Sequence, residues 1–450
     1  MNPIIRLGWS GAVVDREAQP VLLNSFTLPV MEYARSSGLL YMMEHNLNLN
    51  MKTVRYSWQD KLKELMCSIV AGCEHTVSIN HKLVPDTTLA REVTGRDRFA
   101  DQSGVNRLLH AFTEENLGEL EHIFHRDYML HGKAGRLPVE EMVFVDLDMA
   151  GFRADGETYE GSEKGYIVGE RGARGYKASF AYVHRCREVL GCVFDGARAS
   201  ENKHLDQMLG IVKSRIGSPR VRDIVIRGDA AYGNASTVDR LVEQGYIFLL
   251  RGMHSSSARK YARRIKEWVR IKKSSEDLYA GEFRGRIRGS KHNIRVVVFK
   301  DTKKNGRIEF WHLLTNLPDL VYPKQTLFDL YHERQGIEAY LKCDKSGLHI
   351  KNLRTRNLVG IKAFMLLSCI THNLIVHALA SMKQIIKRGF IGIKAFVEKL
   401  ACSKALLTRR GDIMILTFTS ENPTIRQYIK CIKEPTLLDY YITQANLHQT

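Results

Sequence analysis

Four residues of the segment YHERQGIEAYLKCDK (331–345), namely Tyr331, Arg334, Glu338 and Lys345, follow one another at steps of three, four and seven. In a continuous helix these steps put all four on one face. An acid set among cations and a phenol is the composition of a face that holds a metal ion beside a phosphate. It is also the composition of a solvated face on which Arg334 and Glu338 form an i,i+4 ion pair. Three more acids bear on the choice. Asp146 and Asp148 stand in EMVFVDLDM (141–149), whose alternation and Val/Phe content predict a strand carrying both carboxylates on one side. Asp229 ends the apolar run RDIVIRGD, a further expected strand. An Asp at a strand end often serves only as a turn former or helix cap. An Asp inside VFVDLDM is harder to dismiss, because a buried carboxylate must be paired, neutralised or metal-bound. Crowded carboxylates repel, and a divalent ion relieves that repulsion. All-oxygen ligands suit Mg²⁺ or Mn²⁺. Two such ions, about 3.5–4 Å apart, can assist both the attacking and the leaving oxygen of a phosphodiester.

The elements that must position these acids are legible in outline. Residues 1–140 predict short helices: Leu62, Leu65, Met66, Ile69 and Val70 keep helical spacing after Ser57. Val105, Leu108, Leu109 and Phe112 do so after an expected N-cap at Ser103, and Thr113 caps another helix. Tight polar turns between them suit a helix-turn-helix or a plain bundle, with Asn106 and Arg107 facing outward toward DNA or water. Residues 141–251 predict strands at 141–149, 177–184 and 188–195, then helix, strand, helix, strand, hence a mixed sheet with helices packed on it. The glycine-rich 151–175 stretch lacks a GK[ST] ending, so turns are expected there rather than a phosphate loop. Active residues of such sheets favour the carboxyl ends of strands. Residues 252–325 predict a basic, β-rich insertion, 326–380 the helix of the four-residue pattern and an apolar partner, and 381–450 a basic, helical C-terminal region.

The charge is lopsided: 67 Lys+Arg against 49 Asp+Glu gives +18 and a pI near 9.5. Such a surplus favours a polyanionic partner, nucleic acid before an acidic membrane. RGMHSSSARKYARRIKEWVRIKK (251–273) holds nine Lys/Arg and one acid, too unbalanced for self-pairing, and Arg263, Arg264 and Lys266 are candidate phosphate contacts. The most apolar segment, 361–380, is interrupted by Lys362, His372, Asn373 and His377, so no membrane span is expected. MNPIIRLGWS lacks the pattern of an export signal. Eight scattered cysteines form no CxxC, which speaks against zinc and for reduced thiols in a cytoplasm.

Taken together, these residues resemble a DDE-type insertion-sequence transposase with an RNase H-like core, of the group carrying a Tyr-x2-Arg-x3-Glu-x6-Lys signature. Every spacing of that signature is kept by Tyr331, Arg334, Glu338 and Lys345. The RGD around Asp229, HLLTNL (312–317) and the insertion before the signature helix are similar as well, so the resemblance runs from about residue 57 to 380. It implies an α/β fold and a metal-binding catalytic triad of Asp148, Asp229 and Glu338 holding two Mg²⁺ or Mn²⁺ ions. Ala150 stands where the family commonly has Thr two positions after its first Asp, which keeps Asp146 open as an alternative. The resemblance further implies phosphate contacts from Tyr331, Arg334 and Lys345. Trp311, or else Trp268, would stack a flipped base, unless Trp311 belongs to the insertion's own core. The implied activity is cut-and-paste transposition at terminal inverted repeats. The implied partners are double-stranded DNA at the transposon ends and target, and a second copy of the chain in the DNA complex, within the bacterial cytoplasm at the nucleoid. The rival readings are an RNase H-like nuclease without strand transfer, an inactive DNA-binding regulator, and a basic scaffold whose acids are structural.

Overall fold

A computed structural model describes residues 4–10, 20–138, 140–167, 169–272, 277–383, 386–387, 391–410, 413–419 and 423–429. The chain opens with β1 (Ile4–Ser10) and β2 (Val21–Leu22). Seven helices follow: α1 (Thr27–Ser36), α2 (Leu39–Asn46), α3 (Trp58–Val70), α4 (Ser78–Lys82), α5 (Thr87–Thr94), α6 (Gln102–Ala111) and α7 (Glu114–His131). Next come β3 (Val143–Arg153), β4 (Glu163–Ile167), β5 (Glu170–Val183), β6 (Glu188–Gly196), α8 (Glu201–Ile216), β7 (Ile224–Gly228), α9 (Ala235–Glu243) and β8 (Ile247–Arg251). The basic segment forms α10 (Ser255–Ala262), β9 (Val269–Arg270), β10 (Asp277–Gly285), β11 (Ile294–Thr302) and β12 (Ile308–Thr315). The chain ends with α11 (Lys324–His332), α12 (Gln335–Ser346), α13 (Leu358–Ser381), α14 (Ile393–Ala395), β13 (Ala405–Arg410), β14 (Ile413–Thr419) and α15 (Pro423–Tyr428).

Two compact units result. The first gathers Met1–His131, Ala154–Gly161 and Leu341–Thr450; the second gathers Gly132–Arg153 and Ser162–Tyr340. In the first unit, α3 starts on a reciprocal cap: Ser57 Oγ accepts from the Asp60 N–H and the Asp60 carboxylate accepts from the Ser57 N–H. The cap of α6 is Asp101, which accepts from the Ser103 and Gly104 N–H groups, so Ser103 lies inside the helix instead of capping it. Helix α13 is, contrary to the sequence expectation, long and apolar enough to cross a membrane. Its residues from Ala363 to Leu379 are nonetheless buried in protein, so it serves as the core helix of this unit. The C-terminal region, expected to be helical, carries β13 and β14, which form the four-stranded sheet β1-β14-β13-β2 with the N-terminal strands. Residues 430–450 of that region lie outside the described residues.

The second unit is built on a ten-stranded sheet. Its middle runs β6-β5-β3-β7-β8, with β3, β7 and β8 parallel and β5 antiparallel to both β3 and β6. That is the strand order of an RNase H-like α/β core, and α8 and α9 form its crossovers. Of the glycines in the stretch where turns were expected, Gly161 and Gly169 do lie in turns, while Gly165, Gly172 and Gly175 lie in β4 and β5. A Cβ on Gly165 would stand 2.5 Å from the Ala197 carbonyl oxygen, so the strand can pass there only without a side chain. The β-rich insertion continues the same sheet: β12 pairs antiparallel with β8, placing Leu314 opposite Leu250. β11, β10 and β9 follow outward from β12. Leu327 and Phe328 of α11 pack with Val225, Leu249, Phe299 and Leu313 in one apolar cluster, which fixes α11 against the sheet.

Candidate active site

Alternation along β3 sends Phe144, Asp146 and Asp148 to one side of the sheet. On the neighbouring strand Asp146 pairs in register with Arg227, and Leu147 with Gly228. Asp229, the next residue of that strand's line, therefore follows beside Asp148. Its Oδ1 accepts from the Ala231 N–H at 3.0 Å, a local turn bond that aims the side chain at the strand end. Asp148 Oδ1 accepts from the Met149 N–H at 2.9 Å.

The four-residue pattern does not lie on one unbroken helix. α11 ends at His332 and α12 begins at Gln335, with Glu333 and Arg334 between them. The break is a tightening, since the Arg334, Gly336 and Ile337 N–H groups each donate to the carbonyl three residues back, all at 3.1 Å. Tyr331 thus closes α11, Arg334 turns inward at the break, and Glu338 lies in the first turn of α12. Lys345, half-buried, is in the last turn of α12, in the stretch counted with the first unit.

Arg334 is the hub of the site. Its side chain is 6% exposed, with Nη2 3.4 Å from Asp148 Oδ2 and Nη1 2.9 Å from Glu338 Oε1. Burial works against its charge, but Asp148, Tyr331, Asp229 and Asp146 together more than offset this and raise its pKa. Burial also lifts the Asp148 carboxyl to about 6; Arg334 pulls it down, while the Asp229 and Glu338 charges push it further up. The Asp148 carboxyl thus feels the charges of both Asp229 and Glu338. Tyr331, beside them, has its phenol pKa raised by burial and lowered by Arg334 and Arg251.

Asp146 has a different fate. It is fully buried, its Oδ1 and Oδ2 accepting from Arg227 Nε and Nη2 at 2.6 and 2.9 Å. Both oxygens are committed to a guanidinium, so the alternation that made Asp146 and Asp148 equivalent in sequence is split by their partners. Sequence reasoning missed Arg227, although it precedes Asp229 by two, as Asp146 precedes Asp148. Gly336 was missed as well. A Cβ there would stand 1.9 Å from His184 Nδ1, so the first turn of α12 needs a glycine to pass that ring.

Among the described residues, no group of three His, Cys, Asp or Glu side chains is already gathered as a metal cage. The chemistry of the donor set nevertheless fits a hard divalent ion: Asp148, Asp229 and Glu338 offer carboxylate oxygens only, and the charges of Asp229 and Glu338 push the Asp148 carboxyl up against the pull of Arg334. The other expected contacts are dispersed. Arg263, Arg264 and Lys266 are exposed in the segment after α10, Arg264 lying 3.8 Å over the Phe283 ring. Trp311 is half-buried and stacked on Phe299 at 4.0 Å, so one face of its ring is engaged in the sheet–helix cluster. Trp268 lies 6.5 Å from Phe310.

The strand order is that of an RNase H-like core, the class of α/β fold on which DDE transposases are built, and it brings Asp148, Asp229 and Glu338 to one side of the sheet around Arg334. The family model described as "Transposase DDE domain" matches residues 140–374, a little over half of the chain, and the chain belongs to that family. It is a DDE transposase, of a family that uses divalent metal. In fold, the chain is similar to the piggyBac transposase in the cryo-EM structure of its synaptic complex with hairpin DNA. That likeness covers 86% of this chain and 80% of that one at 11% identity, with a TM-score of 0.44. No curated protein matches in sequence.

Proposed function

We propose that the protein carries out cut-and-paste transposition of an insertion sequence, cleaving at terminal inverted repeats and joining the freed 3′ ends to target DNA. The observation that carries this reading is that Arg334 bridges Asp148 of β3 and Glu338 of α12, with Asp229, the residue after β7, close enough to act on both Asp148 and Arg334. Asp148, Asp229 and Glu338 would hold Mg²⁺ or Mn²⁺, two ions in all. When bound, the metal would supply Lewis acidity and a nucleophilic oxygen to the phosphodiester. Asp148 and Asp229 each directly follow the last residues that pair β3 with β7, Leu147 and Gly228, so the sheet sets where both side chains begin. Glu338, with its side chain 62% exposed, sits where an approaching strand can be met. Arg334 and Tyr331 present a cation and a phenol beside the acids and serve as phosphate-holding groups, with Lys345 as a third. The exposed Arg263, Arg264 and Lys266, with the N-terminal helices including Asn106 and Arg107, would track the DNA backbone. Trp311 would stack a base on the ring face away from Phe299, next to Arg251, whose Cζ lies 5.7 Å from the ring centre. Two ends must be brought together, so the DNA-bound form would be a homodimer, acting at the bacterial nucleoid.

The test is incubation of the protein with end DNA and Mg²⁺, scored for nicks and for joined products. Nicks with joining support transposition; nicks alone indicate a nuclease; neither indicates a regulator or scaffold. Glu338→Gln should abolish cleavage and leave end binding within a factor of about two, because the acid acts on the reacting phosphate rather than on affinity. A Glu338→Gln variant that still cuts would overturn the triad.

A further inference from the structure

Where α11 tightens into the break, one carbonyl loses its helical partner. In a regular helix the Leu330 oxygen would accept from the Arg334 N–H four residues on. Here that N–H donates to Tyr331 instead, at 3.1 Å. The freed Leu330 carbonyl is taken by Arg227 Nη1. The same Nη1 lies 3.5 Å from Glu333 Oε2, at the break itself. Arg227 is 1% exposed and comes from β7, the strand that Asp229 follows. Its remaining nitrogens are clamped by Asp146 at 2.6 and 2.9 Å, and its Cζ stands 5.1 Å from the centre of the Phe144 ring. One guanidinium thus joins β3, β7 and the end of α11; Asp146 and Arg227 stand two residues before Asp148 and Asp229 along their strands, and the guanidinium is next to Glu333 at the break.

We propose that the Asp146–Arg227 pair is the positioning element of this site: it holds the α11–α12 break and so aims Arg334 and Glu338 at Asp148. Both are positioning residues, touching neither metal nor DNA. The role explains why a fully buried ion pair is kept in a strand that apolar side chains could fill, since such pairs contribute little to stability by themselves. His184 backs the other side of the break by filling the space that Gly336 leaves open. The inference rests on the transposase reading for its catalytic consequence, but its structural core does not.

The test is the paired substitution Asp146→Leu with Arg227→Met in the full chain. It replaces the ion pair by apolar groups of similar volume, a change that buried pairs often tolerate without loss of stability. The expected result is a melting temperature close to wild type and unchanged affinity for end DNA. Amide hydrogen exchange over residues 333–340 should be at least about tenfold faster, and end cleavage slower by about ten- to a hundredfold, the scale of a misplaced catalytic group. A folded double variant with wild-type exchange at the break and wild-type cutting overturns the inference. Should the double variant not fold, Arg227→Ala decides: guanidinium ion at millimolar concentration should restore its cleavage and its amide protection together, and failure to restore either overturns the inference. Should the wild-type protein itself cut no DNA, the transposase reading fails, while the exchange measurements still decide whether this pair holds the break.

Discussion

Replacing Asp148 by Asn should make the protein more stable and catalytically dead. The burial of Asp148 beside Asp229 and Glu338 raises its carboxyl from 3.8 to about 6, even with Arg334 3.4 Å away. A rise of that size corresponds to about 3 kcal/mol against the charged form in the folded state. The folded protein holds this proton more tightly than the unfolded chain does. Stability therefore falls as pH rises through the window between about 4 and about 6, and the full cost stands above it. Asn keeps the shape and carries no charge at any pH. At pH 7.5 in EDTA, Asp148→Asn should unfold at a higher urea concentration, by about 1 M for a gain of 2–3 kcal/mol at ordinary denaturant slopes. At pH 4 the two midpoints should converge, because Asp148 is then largely protonated in the folded state. Millimolar Mg²⁺ should stabilise the wild type and leave the variant unmoved, since only the wild type offers the full set of carboxylates. A variant less stable than wild type at pH 7.5, or an advantage that persists unchanged in acid, would show that Asp148 is a satisfied structural ion pair and not a strained metal ligand.

Two further sets of substitutions probe the surroundings. Arg263→Ala, Arg264→Ala and Lys266→Ala together should weaken binding to any duplex and lower the slope of log affinity against log salt by about 3, roughly 0.9 for each phosphate that is no longer neutralised. An unchanged salt slope would remove this segment from the DNA surface. Gly336→Ala gains about 1 kcal/mol of helix propensity but drives a Cβ to 1.9 Å from His184 Nδ1. Overpacking of that kind costs about 1–3 kcal/mol. The single variant should be neutral to destabilised in urea melts and slow in cleavage, and adding His184→Ala should recover both.

The sequence by itself determined the local part of this protein. The alternation of VFVDLDM, the apolar run before Asp229 and the helical spacing of Leu62, Leu65, Met66, Ile69 and Val70 each depend on neighbours a few residues away, and the corresponding β3, β7 and α3 formed as expected. The residue types of the site and their order along the chain were legible for the same reason. Tertiary structure decided what depends on distant partners. Asp146 and Asp148 are indistinguishable by alternation, and only the register of β3 on β7 gives one of them to Arg227 and leaves the other beside Asp229. The signature residues keep helical spacing, yet the chain tightens at Glu333–Arg334, where Arg227 takes the Leu330 carbonyl and His184 occupies the space above Gly336. Gly165 reads as a turn residue because nothing local shows that Ala197 will lie against it and carry the chain on as a strand. Local periodicity fixes which residues can share a face, while the pairing of strands far apart in sequence fixes which of them meet a partner, and at a buried charge the partner decides the chemistry.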